Sequence, residues 1–200
     1  MFLNNYFILH KPFNVLSQFS PQEGKKTLKD IFDLPLNVYP VGRLDYDSEG
    51  LLIVTDDKKL NHYLLNPLHE HEREYWVQVE HVITQKAIDE LKKGVSININ
   101  GKAYHTKSCD AQIFSEAPAV SERTPPIRSR KNIPVSWFKL ILSEGKNRQV
   151  RKMTAKVGFP TLRLIRYRIE KLTIDQLYSG EMKMLSQREL YNLLQIKKQY

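Results

Sequence analysis

Apolar and polar positions along this chain recur in short runs, with few of the long stripes that mark helices. Runs rich in β-branched and aromatic residues at 6–9, 38–41, 51–55, 75–79, 95–99, 111–114, 135–142 and 161–169 predict strands. Helical spacing comes between them. Residues 27–32 predict a short helix, and 56–65 a longer one that starts at Asp56 and stops before Pro67. Thr84 caps a predicted helix over 85–93, where Ala87, Ile88 and Leu91 share a face and Gly94 ends the run. Residues 147–157 predict another helix, closed by Gly158 and Pro160. Ser186-Gln187-Arg188-Glu189 is a capping box ahead of Leu190, Leu193 and Leu194. Strands in groups, separated by a few helices and without regular βαβ alternation, predict an α+β fold with a largely antiparallel sheet. With no repeat, low-complexity tract or Gly/Ser linker, residues 1–200 read as a single domain.

Composition narrows the functional class. The 200 residues are 41% hydrophobic and 26% charged, which excludes wholesale disorder and fibrous repeats. A single cysteine, Cys109, cannot close an intramolecular disulfide, so a stapled secreted scaffold is excluded. No run approaches the ~20 apolar residues of a membrane span. The apolar N-terminus lacks a basic flank and a small-residue cleavage site. These features predict a cytoplasmic protein that is not held in a membrane.

Charge is distributed unevenly. Residues 1–100 carry 11 basic and 14 acidic side chains, whereas residues 101–200 carry 20 and 8. The overall +9 is therefore concentrated in the second half, where it attracts polyanions, nucleic acid above all. Within that half, residues 116–134 contain Pro118, Pro125, Pro126 and Pro134 with Arg123, Arg128, Arg130 and Lys131. The prolines forbid regular structure. The segment is either a solvated loop or an arm that lies along a phosphate backbone, and its four added cations favour the arm.

Two constellations could carry chemistry. Gly42-Arg43-Leu44-Asp45-Tyr46-Asp47-Ser48-Glu49-Gly50 packs three acids into five residues beside an apolar strand, an arrangement that calls for a compensating cation. Its partial match to a calcium loop fails because a strand, not a helix, follows. A plain turn is the simplest alternative. In Glu144-Gly145-Lys146-Asn147-Arg148-Gln149-Val150-Arg151-Lys152-Met153, a helix starting near Asn147 would place Arg148, Arg151 and Lys152 on one face and Val150, Met153 and Val157 on another. Guanidiniums there suit a phosphate or a carboxylate, or simply a solvated basic face.

Several motifs together resemble the RsuA-type pseudouridine synthase family. They are Leu9-His10-Lys11-Pro12, Gly42-Arg43-Leu44-Asp45, Ser48-Glu49-Gly50-Leu51, Arg73-Glu74-Tyr75, Glu144-Gly145 and Asn147-Arg148-Gln149-Val150-Arg151. Gly158-Phe159-Pro160, the stretch Leu162 to Arg166, and Gly180-Glu181 complete the set, so the resemblance covers nearly the whole chain in order. Two departures stand out: His10 replaces the usual Asn, and no S4 RNA-binding domain precedes the motifs, which leaves RNA capture to the basic half.

The resemblance implies a mixed, mainly antiparallel sheet of about eight strands, shared by two sub-domains and split by a cleft holding Asp45. It implies isomerisation of uridine to pseudouridine in 23S ribosomal RNA. Asp45 would be the nucleophile, Arg151 its paired cation, Tyr75 the ring that stacks on the flipped base, and Leu164 an aliphatic wall. Arg43, Arg148, Lys152, Arg128 and Arg130 would contact the RNA. No cofactor or metal is implied, and the chain is expected to act as a monomer. A non-catalytic RNA-binding or ribosome-assembly factor on the same scaffold is one competing expectation. A metal-dependent nuclease using Asp45, Asp47 and Glu49 is another. His69-Glu70-His71-Glu72 has too few ligands for a metal site and reads as a solvated loop. Cys109 reads as an inert small residue, and Trp76, Trp137 and the Leu190-Leu193-Leu194 stripe as packing.

Overall fold

The strand predicted at residues 6–9 runs two residues further, as β1 (Tyr6–Lys11), and all six of its residues are buried. It is followed by β2 (Val15–Leu16), β3 (Lys26–Thr27), β4 (Tyr39–Pro40), β5 (Glu49–Thr55) and α1 (Lys58–Leu65). Next come β6 (Arg73–Glu80), α2 (Gln85–Lys93), β7 (Ser96–Ile99), β8 (Lys102–His105), β9 (Asp110–Ile113) and β10 (Val135–Leu142). The chain ends with α3 (Gln149–Lys156), β11 (Thr161–Ile169), β12 (Leu172–Thr173), β13 (Met182–Met184) and α4 (Gln187–Leu193). This computed structural model describes residues 4–127 and 133–196. The chain divides into two units, one of residues 1–71 with 166–200 and one of residues 72–165.

In the first unit β1 lies between β13 and β5, antiparallel to both, and β4 pairs with the end of β5. The register sets Tyr6 opposite Thr55 and Lys11 opposite Gly50. Both strands are buried along their full length, which is why their sequences read as continuous apolar runs without alternation. Phe7, Leu9, Val15, Leu28, Phe32, Val38, Leu52 and Val54 form one core. Asp57 caps α1 by accepting from the backbone N–H groups of Lys59 and Leu60. It also accepts from the phenols of Tyr6 at 2.8 Å and Tyr191 at 2.9 Å, which ties α4 to the start of the chain. Burial pushes this carboxyl's pKa up, but the four donors outweigh it and leave the group below its ordinary range.

In the second unit β10 pairs antiparallel with β6 and with β9. α2 buries Ala87, Ile88 and Leu91, the face its spacing predicts, and Thr84 accepts from the Ala87 N–H. These residues join Val77, Val79, Phe138, Leu140, Val150, Met153 and Leu164 in a second core. The result is an α+β fold whose strands pair mainly antiparallel.

Differences from the expected elements have local causes. The helix predicted at 27–32 is one 3-10 turn, Leu28–Asp30, in which Asp30 accepts from the N–H and hydroxyl of Thr27. Strands β2, β3, β8, β12 and β13 are two to four residues long, too short for a period-2 pattern to register. The helix predicted from Asn147 starts at Gln149, because residue 148 takes a left-handed conformation, φ 52°.

Candidate active site

The acidic loop lies in the first unit. Gly42 has φ +70°, a conformation L-residues rarely adopt, and turns the chain out of β4. Arg43 is exposed, Leu44 is buried, and Asp45, Tyr46 and Asp47 are half-buried. The Asp45 carbonyl accepts from the Ser48 N–H at 3.0 Å, closing the turn. On the other side of Asp45, the Ser17 hydroxyl donates to the Leu44 carbonyl at 2.9 Å and accepts the Leu44 N–H at 3.1 Å. Glu49 is not a loop residue. It begins β5 and is only 2% exposed.

One basic side chain near the three crowded acids is Lys11. It is fully buried at the end of β1, and its ammonium donates to the carbonyls of Pro12 at 2.8 Å and Val15 at 2.7 Å. Burial lowers its pKa to about 7, against the pull of Glu49, Asp47 and Asp45, while the neighbouring Arg166 pushes the same way as burial. Arg166 donates from Nε to the Leu51 carbonyl at 2.8 Å. Lys11 was legible only as part of a motif. Its signal was a lysine ending a mostly apolar strand.

A pH dependence follows. Between about 7 and the unfolded value of 10.5 the unfolded chain carries a proton on Lys11 that the folded chain lacks. Stability therefore rises with pH through that window. Urea midpoints of wild type and Lys11→Met, compared at pH 6.5 and 9.5, should diverge, wild type gaining relative to the variant at the higher pH.

The other expected residues lie in the second unit. Tyr75 is half-buried on β6, opposite Leu140 of β10, and packs on the core. Arg151 is half-buried on α3, with Nη1 donating to the Thr161 carbonyl at 3.4 Å. Leu164 is packed in the core with Val150 and Met153. Arg148 is exposed and caps α3, so it does not share a helical face with Arg151 and Lys152 as the sequence suggests. Residues 144–149 interlock instead. Gln149 accepts the Lys146 N–H at 2.9 Å and donates to Glu144 at 2.6 Å, and Glu144 also accepts from the Lys107 N–H and the Tyr104 hydroxyl. Within that network Arg148 takes its left-handed conformation, and the helix begins after it. Buried Gln149 was not singled out from the sequence, since a polar residue in a basic run carries no burial signal.

Arg128 and Arg130 of the arm lie outside the described residues. Within the arm, Arg123 donates to the carbonyls of Pro125 and Pro126. The expected solvated loop at 69–72 is partly packed instead. His71 is buried, with Nδ1 3.1 Å from Glu170 Oε1, and the His69 ring stacks on Tyr63 of α1 at 4.0 Å. The Cys109 thiol donates to the Leu91 carbonyl, and burial raises its pKa to about 11, which keeps it protonated and unreactive. Among the described residues no three His, Cys, Asp or Glu side chains are grouped to hold a metal, and no helix is long and apolar enough to cross a membrane.

Residues 5–156 match the family model for RNA pseudouridylate synthases. The ribosomal large subunit pseudouridine synthase E of Xanthomonas axonopodis pv. citri is 46% identical over 172 residues, covering 85% of this chain and 88% of that protein. The ribosomal large subunit pseudouridine synthase B of Bacillus subtilis is 30% identical over 94% of this chain and 70% of its own. A crystal structure of a pseudouridylate synthase superposes with a TM-score of 0.76 at 27% identity, covering 95% of this chain and 74% of that one. The chain belongs to the RNA pseudouridylate synthase family.

Proposed function

We propose that this protein isomerises uridine to pseudouridine in large-subunit 23S ribosomal RNA, acting as a monomer in the cytoplasm, with Asp45 as its nucleophile. The observation that carries the reading is the 46% identity, over most of both chains, to a protein named for that activity. Uridine and pseudouridine are isomers. The N1–C1′ bond breaks, the base turns, a C5–C1′ bond forms, and the C5 proton is exchanged for one on N1. No electrons or groups enter or leave, so nucleophile, proton acceptor and counter-charge suffice.

In this reading the Asp45 carboxylate attacks the nucleoside, Arg151 is its paired cation, and Tyr75 stacks on the extruded base and assists removal of the C5 proton. Extrusion costs a few kcal/mol. Stacking on Tyr75 and phosphate contacts from Arg43, Arg148, Lys152, Arg128 and Arg130 offset it, and Leu164 backs the pocket. If Arg148 and Lys152 each hold a phosphate, Arg148→Gln and Lys152→Gln should each flatten the plot of log K against log salt by about 0.7–0.9. Turnover at saturating RNA should stay near wild type. Filter binding at several salt concentrations measures the first effect and a turnover assay the second.

The direct test maps pseudouridines in 23S rRNA from cells with and without this gene, alongside rRNA transcripts incubated with the purified protein. A position modified only when the protein is present supports the reading. RNA binding with no new pseudouridine would replace it with that of a non-catalytic RNA-binding factor, and chelator-sensitive RNA cleavage with that of a metal-dependent nuclease.

A further inference from the structure

We propose that Ser17 is a positioning residue for Asp45, an inference that rests on Asp45 being the nucleophile. The Asp45 backbone is fixed from both sides. Ahead of it, one buried hydroxyl both donates to the Leu44 carbonyl and accepts the Leu44 N–H. This clamp holds both backbone polar groups of the preceding residue, so the peptide plane entering Asp45 cannot rotate without breaking a buried hydrogen bond. Behind it, the Ser48 N–H holds the Asp45 carbonyl. Between these points the backbone fixes where the Asp45 side chain leaves the chain.

Ser17 is itself held in place. Lys11 donates to the Val15 carbonyl just upstream, and Val15 is buried in the first unit's core. β2 pairs parallel with β3, and just downstream the Gln18 carbonyl accepts the N–H of fully buried Leu28. Ser17 and Leu44 are 27 residues apart and both 6% exposed. The clamp therefore joins two separately anchored, buried segments. A carboxylate that must meet a sugar or base carbon gains rate from being held in an attack geometry.

The test measures turnover of a uridine-labelled 23S transcript by tritium release from C5, Kd for the same transcript, and folded fraction by circular dichroism. Ser17→Ala, Ser17→Cys and Asp45→Asn are compared with wild type. Ser17→Ala should lower kcat by about 10–100-fold while Kd stays within about twofold. Ser17→Cys, which keeps the shape with weaker hydrogen bonds, should fall between. A merely structural role would lower the folded fraction and leave kcat per folded molecule unchanged. That result, or wild-type kcat in both Ser17 variants beside an inactive Asp45→Asn, overturns the proposal. If Ser17→Ala does not fold, Ser17→Cys decides alone by the same criterion. Activity in Asp45→Asn overturns the reading of Asp45 itself, and with it the clamp's purpose.

Discussion

Asp45→Asn leaves RNA binding in place and abolishes pseudouridine formation. Asn keeps the side chain's size and its place in the turn but is neither charged nor nucleophilic, so adduct formation has no substitute group. Losses on removing a nucleophile are large, and here at least about 10³-fold in kcat is expected. Affinity survives because the basic side chains proposed to bind RNA are unchanged, and two of them, Arg148 and Lys152, lie in the other unit. Tritium release under single-turnover conditions, read beside filter binding, separates the two quantities. Turnover above about a tenth of wild type would remove Asp45 from the mechanism. A loss of affinity matching the loss of rate would make Asp45 a binding residue.

The second large effect is on the fold. Gly50→Ala should destabilise the protein by more than about 4 kcal/mol or prevent folding. Gly50 lies on β5 with φ +108°, and a Cβ there would sit 2.3 Å from the Arg166 carbonyl oxygen and 2.7 Å from its nitrogen. Those atoms are strand backbone and cannot step aside as a side-chain tip could, so β5 or β11 would have to move. Gly101 provides the control. Its φ is +84°, but nothing lies within 4 Å of the added atom. Gly101→Ala should therefore cost only the backbone strain, on the order of 1–3 kcal/mol. Urea denaturation of the two variants tests the comparison, and equal losses would show that conformation, not the close approach of strands, requires Gly50.

The legible parts of the fold were those whose signal is short-range. Helix α2 was delimited by Thr84 and Gly94, and β10 and β11 by their unbroken apolar and aromatic runs. A further local signal marks the hairpin between β7 and β8. Asn100-Gly101, with φ 50° and +84°, is the turn that joins β7 to β8, and that dipeptide between apolar runs favours a tight hairpin. The start of α3 was displaced for the opposite reason. The helical pattern from Asn147 was sound locally, but Glu144 and Gln149 tie the loop to Lys107 and Tyr104 and override it.

What the order of residues determined by itself was the α+β class, the caps of α2 and α4, the polyanion-seeking charge of the second half, and the motif residues that carry the family resemblance. All of these are set by neighbours within a turn or two, or by simple totals. Tertiary structure alone decided that Lys11 is buried near Asp45, Asp47 and Glu49, that Ser17 holds Leu44, and that β11 leaves no space for a side chain at Gly50. Each depends on segments far apart in the chain that meet only after folding, and in a dry interior one displaced hydroxyl or ammonium changes the chemistry available to a carboxylate.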